Sequence, residues 1–219
     1  TSLDITDIDA VMTLALDKKP DVIINCAALT NVDGCEKMWD LAYKINAIGP
    51  RNLAIAATTV GAKLVHVSTD YVFAGTERAP RTEFDEPNPI SAYGKTKLEG
   101  EHFVRQFAEK FFILRTAWLY GDGKNFVKTM VRASKTHDEV SVVCDQFGSP
   151  TSAKDLAKMI MYLISTNEYG TYHVTCRGVC SRYEFAQEIL KLAGKDIELR
   201  AVPTEQSDLS AVRPPYAVL

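Results

Sequence analysis

Three side chains with acid–base chemistry are spaced to meet at one end of a strand. Tyr93 and Lys97 are four residues apart, and Thr69 ends the apolar run 62–69 that precedes them. Residues at i and i+4 lie on the same face of a helix, so the phenol and the ammonium are predicted to point the same way. A tyrosine can exchange a proton with a carbonyl or alcohol oxygen while a nicotinamide exchanges the hydride. The set predicts Thr69, Tyr93 and Lys97 as catalytic residues of an oxidoreductase.

The proton donor expected from this set is Tyr93. A free phenol has a pKa near 10, so donation at neutral pH requires its pKa to fall. An ammonium about 4 Å away favours the phenolate by Coulomb attraction, and Lys97 is expected to supply that charge. Tyrosine and lysine at this spacing also occur together on solvated helix faces. The assignment therefore depends on the surrounding sequence.

Short apolar runs alternate along the chain with segments of helical periodicity. The patterning predicts strands over 21–25, 62–69, 112–116, 139–144 and 171–175, and helices over 7–17, 33–60, 93–110, 124–136, 152–166 and 181–193. A capping box of Thr6 and Asp9 is expected to start the first helix. Within 33–60, Pro50 is expected to kink the helix and to free the carbonyl of Asn46. The β-α-β-α order predicts an α/β fold with a doubly wound parallel sheet and helices on both faces.

Composition excludes several classes of protein. The chain has 219 residues, 46% of them hydrophobic, and a net charge of −3 without a basic stripe, which argues against a nucleic-acid partner. Without an apolar run of about 18 residues or a signal-peptide pattern, no membrane association is expected and a cytoplasmic location is predicted. Cys176 and Cys180 have no second pair of metal ligands, so plain thiols are expected and no metal site is predicted.

The motifs at the strand ends resemble those of the extended short-chain dehydrogenase/reductase family, and within it the reductases of dTDP-4-keto-6-deoxy sugars. The resemblance covers nearly the whole chain, and its most specific segments are 68–73, 93–101, 118–121 and 145–151. It implies a Rossmann-like dinucleotide-binding domain over 1–144 and mainly a small C-terminal substrate-binding lobe over 145–219, with some segments returning to the sheet. No glycine-rich phosphate loop follows a strand, so we expect a fragment without the first strand, that loop and the C-terminal end. Loss of that strand is expected to leave a gap in the middle of the sheet.

The resemblance also implies roles for individual residues. NADPH or NADH would be bound by Tyr93 and Lys97 together with Cys26, Ala27, Ala28, Asn46 and Ser68. The sugar nucleotide would be bound by Thr30, Val32, Asp70, Tyr71, Trp118 and Arg213, with Trp118 facing a sugar methyl and Arg213 facing the diphosphate. Related dehydratases have a second carboxylate after Asp70, where this chain has Tyr71. Its absence favours reduction over elimination of water.

Several alternatives remain open from the sequence. The leading hypothesis is NAD(P)H-dependent reduction of the C4 ketone of a dTDP-4-keto-6-deoxy sugar, with dTDP-4-dehydro-L-rhamnose as substrate and dTDP-L-rhamnose as product. A reductase of another deoxysugar nucleotide fits the same residues. So does a non-catalytic dinucleotide-binding partner resembling the regulatory subunit of methionine adenosyltransferase. A homodimer is a further expectation, although Lys154 replaces a glutamate that contributes to a metal-bridged dimer in the rhamnose-type relatives.

Overall fold

A computed structural model describes residues 2–207 and 210–219. The α-helices are α1 Ile8–Lys18, α2 Val32–Lys37, α3 Trp39–Tyr43, α4 Gly49–Val60, α5 Ala92–Phe107, α6 Phe126–Ala133, α7 Ala153–Ile164 and α8 Arg182–Leu192. The strands are β1 Val22–Asn25, β2 Lys63–Thr69, β3 Phe111–Thr116, β4 Leu119–Tyr120, β5 Glu139–Val143, β6 Phe147–Gly148, β7 Thr151–Ser152, β8 Gly170–His173, β9 Cys180–Ser181, β10 Glu198–Val202 and β11 Tyr216–Ala217.

The largest sheet has four parallel strands in the order β1-β2-β3-β8. Leu64 and Ile113 pack on one face with α1, α4 and α5, whereas Val65 and Phe112 pack on the other face with α7. Strands buried on both faces need apolar side chains at successive positions, which explains the nearly continuous apolar runs. The doubly wound parallel arrangement is confirmed. The expected gap is not found, because β1 pairs directly with β2 and lies at an edge.

A second group of elements surrounds an apolar cluster of its own. Strand β5 pairs in parallel with β10, and α6 and α8 pack around its Val142 through Met130, Ala186 and Ile189. The predicted strand 139–144 therefore does not continue the main sheet, although its position in the β-α-β order suggested that it would. Elements on both sides of residue 144 share this cluster, and the division into two domains at that residue stays a prediction.

Two helix predictions were wrong in detail. The first helix is capped by the Asp7 carboxylate, which accepts the backbone N–H groups of Asp9 and Ala10, while the Thr6 hydroxyl donates to Asp4 instead. The predicted helix 33–60 is broken at Met38, and a π-helical turn, Lys44–Ile48, precedes α4. Proline at residue 50 cannot donate to the carbonyl of Asn46, which agrees with a distortion at this point.

No helix in the described parts of the chain, 2–207 and 210–219, is both long and apolar enough to cross a membrane.

Candidate active site

A cavity of about 300 Å³ lies at the carboxyl ends of β2 and β3. In a parallel sheet these ends meet at one edge, where ligands of doubly wound folds bind. Nine of the residues predicted for the site line this cavity: Cys26, Ala28, Thr30, Ser68, Thr69, Asp70, Tyr93, Lys97 and Trp118. The structure therefore brings the three predicted catalytic residues together with predicted cofactor and substrate residues.

Five predicted site residues lie outside the lining of this cavity. Tyr71 and Arg213 line a second cavity of about 520 Å³, beside Phe126, Gln146 and Arg182. Ala27 donates its backbone N–H to the side chain of Asn25, and Val32 begins α2. The fully buried Asn46 accepts the backbone N–H of Leu29 at 2.8 Å and donates to Thr96 Oγ1 at 3.1 Å. Its amide holds the loop after β1, and its contact with the cofactor stays a prediction.

Helix α5 positions both Tyr93 and Lys97. Ser91 caps the helix by accepting the backbone N–H of Gly94 at 3.1 Å. A Cβ atom at Gly94 would lie 2.2 Å from the carbonyl oxygen of Tyr71, so only glycine allows the helix to start this close to the segment after β2. The rings of Tyr71 and Tyr93 meet edge to face, with centroids 5.5 Å apart.

The phenol of Tyr93 is harder to ionise than the sequence suggested. Loss of water around it raises the pKa of Tyr93 far above the usual value, and the charge of Asp70 raises it further, against a hydrogen bond with Thr69 that lowers it. The Nζ of Lys97 donates to the Val67 carbonyl at 2.7 Å. The pKa of Tyr93 is raised, where the sequence predicted a fall.

The pKa of Lys97 is also shifted from its ordinary value. Its side chain is buried, and desolvation lowers the pKa of Lys97 to about 8, although the nearby Glu101 and Cys26 raise it. An ammonium carries three donors, and one is used on the Val67 carbonyl. The other two are available to hydroxyl groups of a bound molecule.

Asp70 and Thr116 add unsatisfied polar atoms to the same cavity. Thr116 Oγ1 and Asp70 Oδ2 are buried and have no hydrogen-bond partner in the described part of the chain. Burial raises the pKa of Asp70 to about 7, more than the Thr69 hydrogen bond and the charge of Arg182 lower it. Buried polar atoms without partners are rare in folded proteins, and they are commonly satisfied by water or a ligand.

Sequence reasoning missed Arg182 and Glu101. The guanidinium of Arg182, at the start of α8, lies 3.6 Å from the ring centroid of Trp118, and its charge lowers the pKa of Tyr71 against the larger effect of burial. Glu101 is fully buried and pairs with Arg115. No local signal marked Arg182, whereas Glu101 follows Lys97 by four residues and could have been predicted on the same helix face.

Arg213, predicted to face a diphosphate, is held by an ion pair. Its guanidinium donates to both carboxylate oxygens of Asp33, at 2.9 and 2.6 Å. The hydrogen bond from Arg213 holds the pKa of Asp33 well below its usual value. Across residues 2–207 and 210–219, no group of three or more His, Cys, Asp or Glu side chains is arranged to hold a metal ion.

Comparison with known proteins gives consistent matches over the whole chain. The family described as the RmlD substrate binding domain matches residues 1–219. A solved dTDP-4-dehydrorhamnose reductase from Clostridium acetobutylicum is 58% identical, with a TM-score of 0.97 over 99% of this chain and 78% of that chain. The reductase of the same name from Bacillus anthracis, solved in complex with NADP, is 50% identical with a TM-score of 0.97 and the same shares of both chains. The spore coat polysaccharide biosynthesis protein SpsK of Bacillus subtilis is 45% identical over 92% of this chain and 71% of its own length.

Proposed function

The chain belongs to the RmlD substrate binding domain family, and on that membership we propose that it is an NAD(P)H-dependent reductase of the C4 ketone of a dTDP-4-keto-6-deoxy sugar. The observation that carries the proposal is the convergence of Thr69, Tyr93 and Lys97 on one cavity, in a chain 58% identical to a dTDP-4-dehydrorhamnose reductase. We propose dTDP-4-dehydro-L-rhamnose as the substrate and dTDP-L-rhamnose as the product.

The residues of the cavity fit the nicotinamide end of a dinucleotide. Lys97 keeps two donors for ribose hydroxyls after its bond to the Val67 carbonyl, and the small side chains of Cys26 and Ala28 line the same space. Ser68 lies in the lining as well. When bound, such a cofactor supplies the hydride for the carbonyl carbon. The structural relative from Bacillus anthracis contains NADP, which favours NADPH over NADH in this proposal.

Tyr93 gives its phenolic proton to the sugar oxygen as the ketone becomes an alcohol. Its high pKa makes it a proton donor that stays protonated until an alkoxide forms beside it, and an alkoxide is basic enough to take the proton. The Thr69 hydroxyl donates to Asp70, lines the same cavity as Tyr93 and orients the carbonyl oxygen toward the phenol. Tyr71 follows Asp70 where dehydratases have a second carboxylate, so no acid–base pair for elimination is present there.

The rest of the sugar nucleotide would extend from Trp118 and Thr30 into the second cavity. Tyr71 lines the second cavity and Asp70 the first, so the two spaces meet at adjacent residues. Arg182 is the cation we assign to the diphosphate, since it lines the second cavity and a guanidinium forms strong hydrogen bonds with phosphate oxygens. Arg213 shares this cavity but is engaged by Asp33, and its diphosphate contact requires that ion pair to rearrange.

The proposal includes a cytoplasmic location. The five cysteines, all in the described part of the chain, are free thiols, as is usual in reducing compartments. A homodimer also stays part of the proposal, with Lys154 exposed on α7. Sedimentation of the purified protein decides between monomer and dimer.

The test is the loss of NADPH absorbance when the intact native protein meets dTDP-4-dehydro-L-rhamnose. We expect turnover in the wild type and a loss of about 10²- to 10⁴-fold in kcat for Tyr93→Phe, because the phenolic proton is removed without a change of shape. Tyr71→Phe is the matched control, since its ring contacts that of Tyr93, and it should reduce kcat far less. If the protein reduced only a different 4-keto-6-deoxy sugar, that sugar would replace dTDP-4-dehydro-L-rhamnose as the proposed substrate. No turnover with any of them, in a protein that binds NADPH, would refute the reductase assignment.

A further inference from the structure

The hydroxyl of Thr116 is a buried polar group of the first cavity to which the reduction described above gives no role. Thr116 ends β3 and is 5% exposed, and it lines the cavity together with Tyr93 and Lys97. Its Oγ1 is buried and has no hydrogen-bond partner within residues 2–207 and 210–219. An unpaired buried hydroxyl lowers the free energy of unfolding, and such groups are commonly satisfied by water or a ligand.

The other buried threonines in the part of the chain that the structure describes have their hydroxyls satisfied by the protein itself. Those of Thr69, Thr96 and Thr151 each donate to a carboxyl or carbonyl oxygen, at 2.8, 3.1 and 3.0 Å respectively. Valine is close to threonine in shape and would fill position 116 without burying a hydroxyl. The hydroxyl of Thr116 therefore indicates a partner that is not part of the chain.

Thr116 lies on the same face of the main sheet as Thr69. The two residues are register partners at the ends of neighbouring parallel strands, and successive side chains of a strand point to opposite faces. The preceding residues, Ser68 and Arg115, both contact Glu101 on the other face. The two threonines are therefore neighbours at the carboxyl ends of β2 and β3, where dinucleotides bind in doubly wound folds.

The carboxamide of a nicotinamide fits an unpaired hydroxyl at this position. It is the one group of the nicotinamide ring that forms strong hydrogen bonds, and like a threonine hydroxyl it can both donate and accept. Ser68 already donates to Glu101 at 2.6 Å, and Lys97 is assigned to the ribose hydroxyls. The sugar is assigned to Asp70 and Trp118, which follow the ends of β2 and β3. The hydroxyl of Thr116 is left for the carboxamide.

We propose, on the premise of the reductase activity and its nicotinamide cofactor, that Thr116 binds the carboxamide of that cofactor and orients the ring beside Tyr93. The carboxamide is attached to the ring carbon next to the one that supplies the hydride. Holding it limits rotation of the ring about its bond to the ribose, and a fixed orientation of the reacting groups favours the transfer. Binding of the cofactor also satisfies a hydroxyl that the free protein leaves unpaired.

The experiment measures the dissociation constants of NADPH and of phospho-ADP-ribose, which is the cofactor without its nicotinamide, by calorimetry on the intact native protein. In Thr116→Val we expect the constant for NADPH to rise by about 3- to 10-fold, the range of one hydrogen bond. The constant for phospho-ADP-ribose and the KM for the sugar nucleotide should not change. Thr116→Ser keeps a hydroxyl, so its constant for NADPH should stay within about two-fold of the wild-type value.

Unfolding by denaturant without cofactor distinguishes cofactor binding from a structural role of the hydroxyl. Thr116→Val should unfold at the same or a higher denaturant concentration than the wild type, because it removes an unpaired buried hydroxyl. Thr151→Val is the matched control, since the hydroxyl of Thr151 is equally buried but donates to Ser149 and accepts the backbone N–H of Cys176. It should unfold at a lower concentration and bind NADPH as the wild type does.

An unchanged dissociation constant for NADPH in Thr116→Val would overturn the proposal. A raised KM for the sugar nucleotide would then identify the sugar as the partner of the hydroxyl, and a lower unfolding midpoint would identify a role in the fold. Equal weakening of NADPH and phospho-ADP-ribose would overturn it as well. Wild-type protein that binds NADPH but reduces no sugar would refute the reductase assignment instead, and the binding constants would still decide the role of Thr116. Wild-type protein that binds no NADPH would overturn both.

Discussion

Two buried carboxyl groups, Glu101 and Asp70, have pKa values that are shifted in opposite directions. Glu101 accepts from Ser68 at 2.6 Å, from Arg105 at 2.9 Å and from Arg115 at 2.8 Å. Burial alone would raise the pKa of Glu101, but the hydrogen bonds and charge of Arg115 outweigh it and hold that pKa below its usual value. Asp70 accepts one side-chain hydroxyl, and burial raises its pKa to about 7.

The comparison distinguishes a carboxylate that stabilises the fold, Glu101, from a carboxyl group that lines the cavity, Asp70. Every polar neighbour of Glu101 is satisfied, so this cluster holds α5 against β2 and β3 and keeps Lys97 in place. Near Asp70, the cavity has buried oxygen atoms that lack a hydrogen-bond partner in the described part of the chain, and the guanidinium of Arg182 stacks on Trp118. Burial by itself does not identify a functional carboxyl. The balance between burial and hydrogen bonding does.

Removing the charge of Glu101 should have the largest effect on stability. Glu101→Gln leaves the guanidinium of Arg115, which is 1% exposed, without a compensating charge. We expect a loss of about 3–5 kcal/mol in the free energy of unfolding, measured by denaturant titration. Glu99→Gln is the matched control two residues earlier, where an exposed pair with His102 contributes about 0.5 kcal/mol or less. Equal losses in the free energy of unfolding would show that the buried Glu101 contributes no more to stability than the exposed Glu99.

The pH dependence of stability tests whether the pKa of Asp70 is raised in the folded protein. The Asp70 pKa is about 7 in the folded protein and near 3.9 in an unfolded chain, so the folded state binds more protons between these values. The contribution of Asp70 to stability is therefore complete below about pH 4 and lost as the pH rises through 7. The wild type should lose on the order of 4 kcal/mol more than Asp70→Asn over this window. Parallel stability curves for the two proteins would show that the pKa of Asp70 is not raised in the folded protein.

A smaller effect is expected where Trp118 meets the cavity wall. A Cβ atom at Gly148 would lie 2.5 Å from Trp118 Cε2, so Gly148→Ala must displace the indole. Since a half-buried side chain can shift, we expect KM for the sugar nucleotide to rise by about 10-fold, or about 1.4 kcal/mol, with little loss of stability. Gly121→Ala is the control, because its new Cβ meets only the Ala153 side chain at 3.1 Å. An unchanged KM in Gly148→Ala would indicate that Trp118 belongs to the core and does not contact the substrate.

The sequence predicted the sheet and the first cavity well because both depend on local patterns. Apolar runs determined which strands are buried, and Ser91 and the Tyr93–Lys97 spacing determined how α5 presents its side chains. Contacts between distant residues could not be predicted in this way. Arg182, at the start of α8, reaches Trp118, and Asp33 pairs with Arg213 at the far end of the chain. Nothing in the local sequence marks the break at Met38, since no proline or glycine stands there to signal it.

The central claim is tested most directly by the position at which the cofactor hydrogen arrives. Intact native protein is incubated with dTDP-4-dehydro-L-rhamnose and NADPH that carries deuterium at nicotinamide C4, and the product is analysed by NMR. The account predicts a single deuterium at C4 of the sugar, and almost none when Tyr93→Phe replaces the wild type. Deuterium at another carbon, or an alcohol product without deuterium, would contradict it.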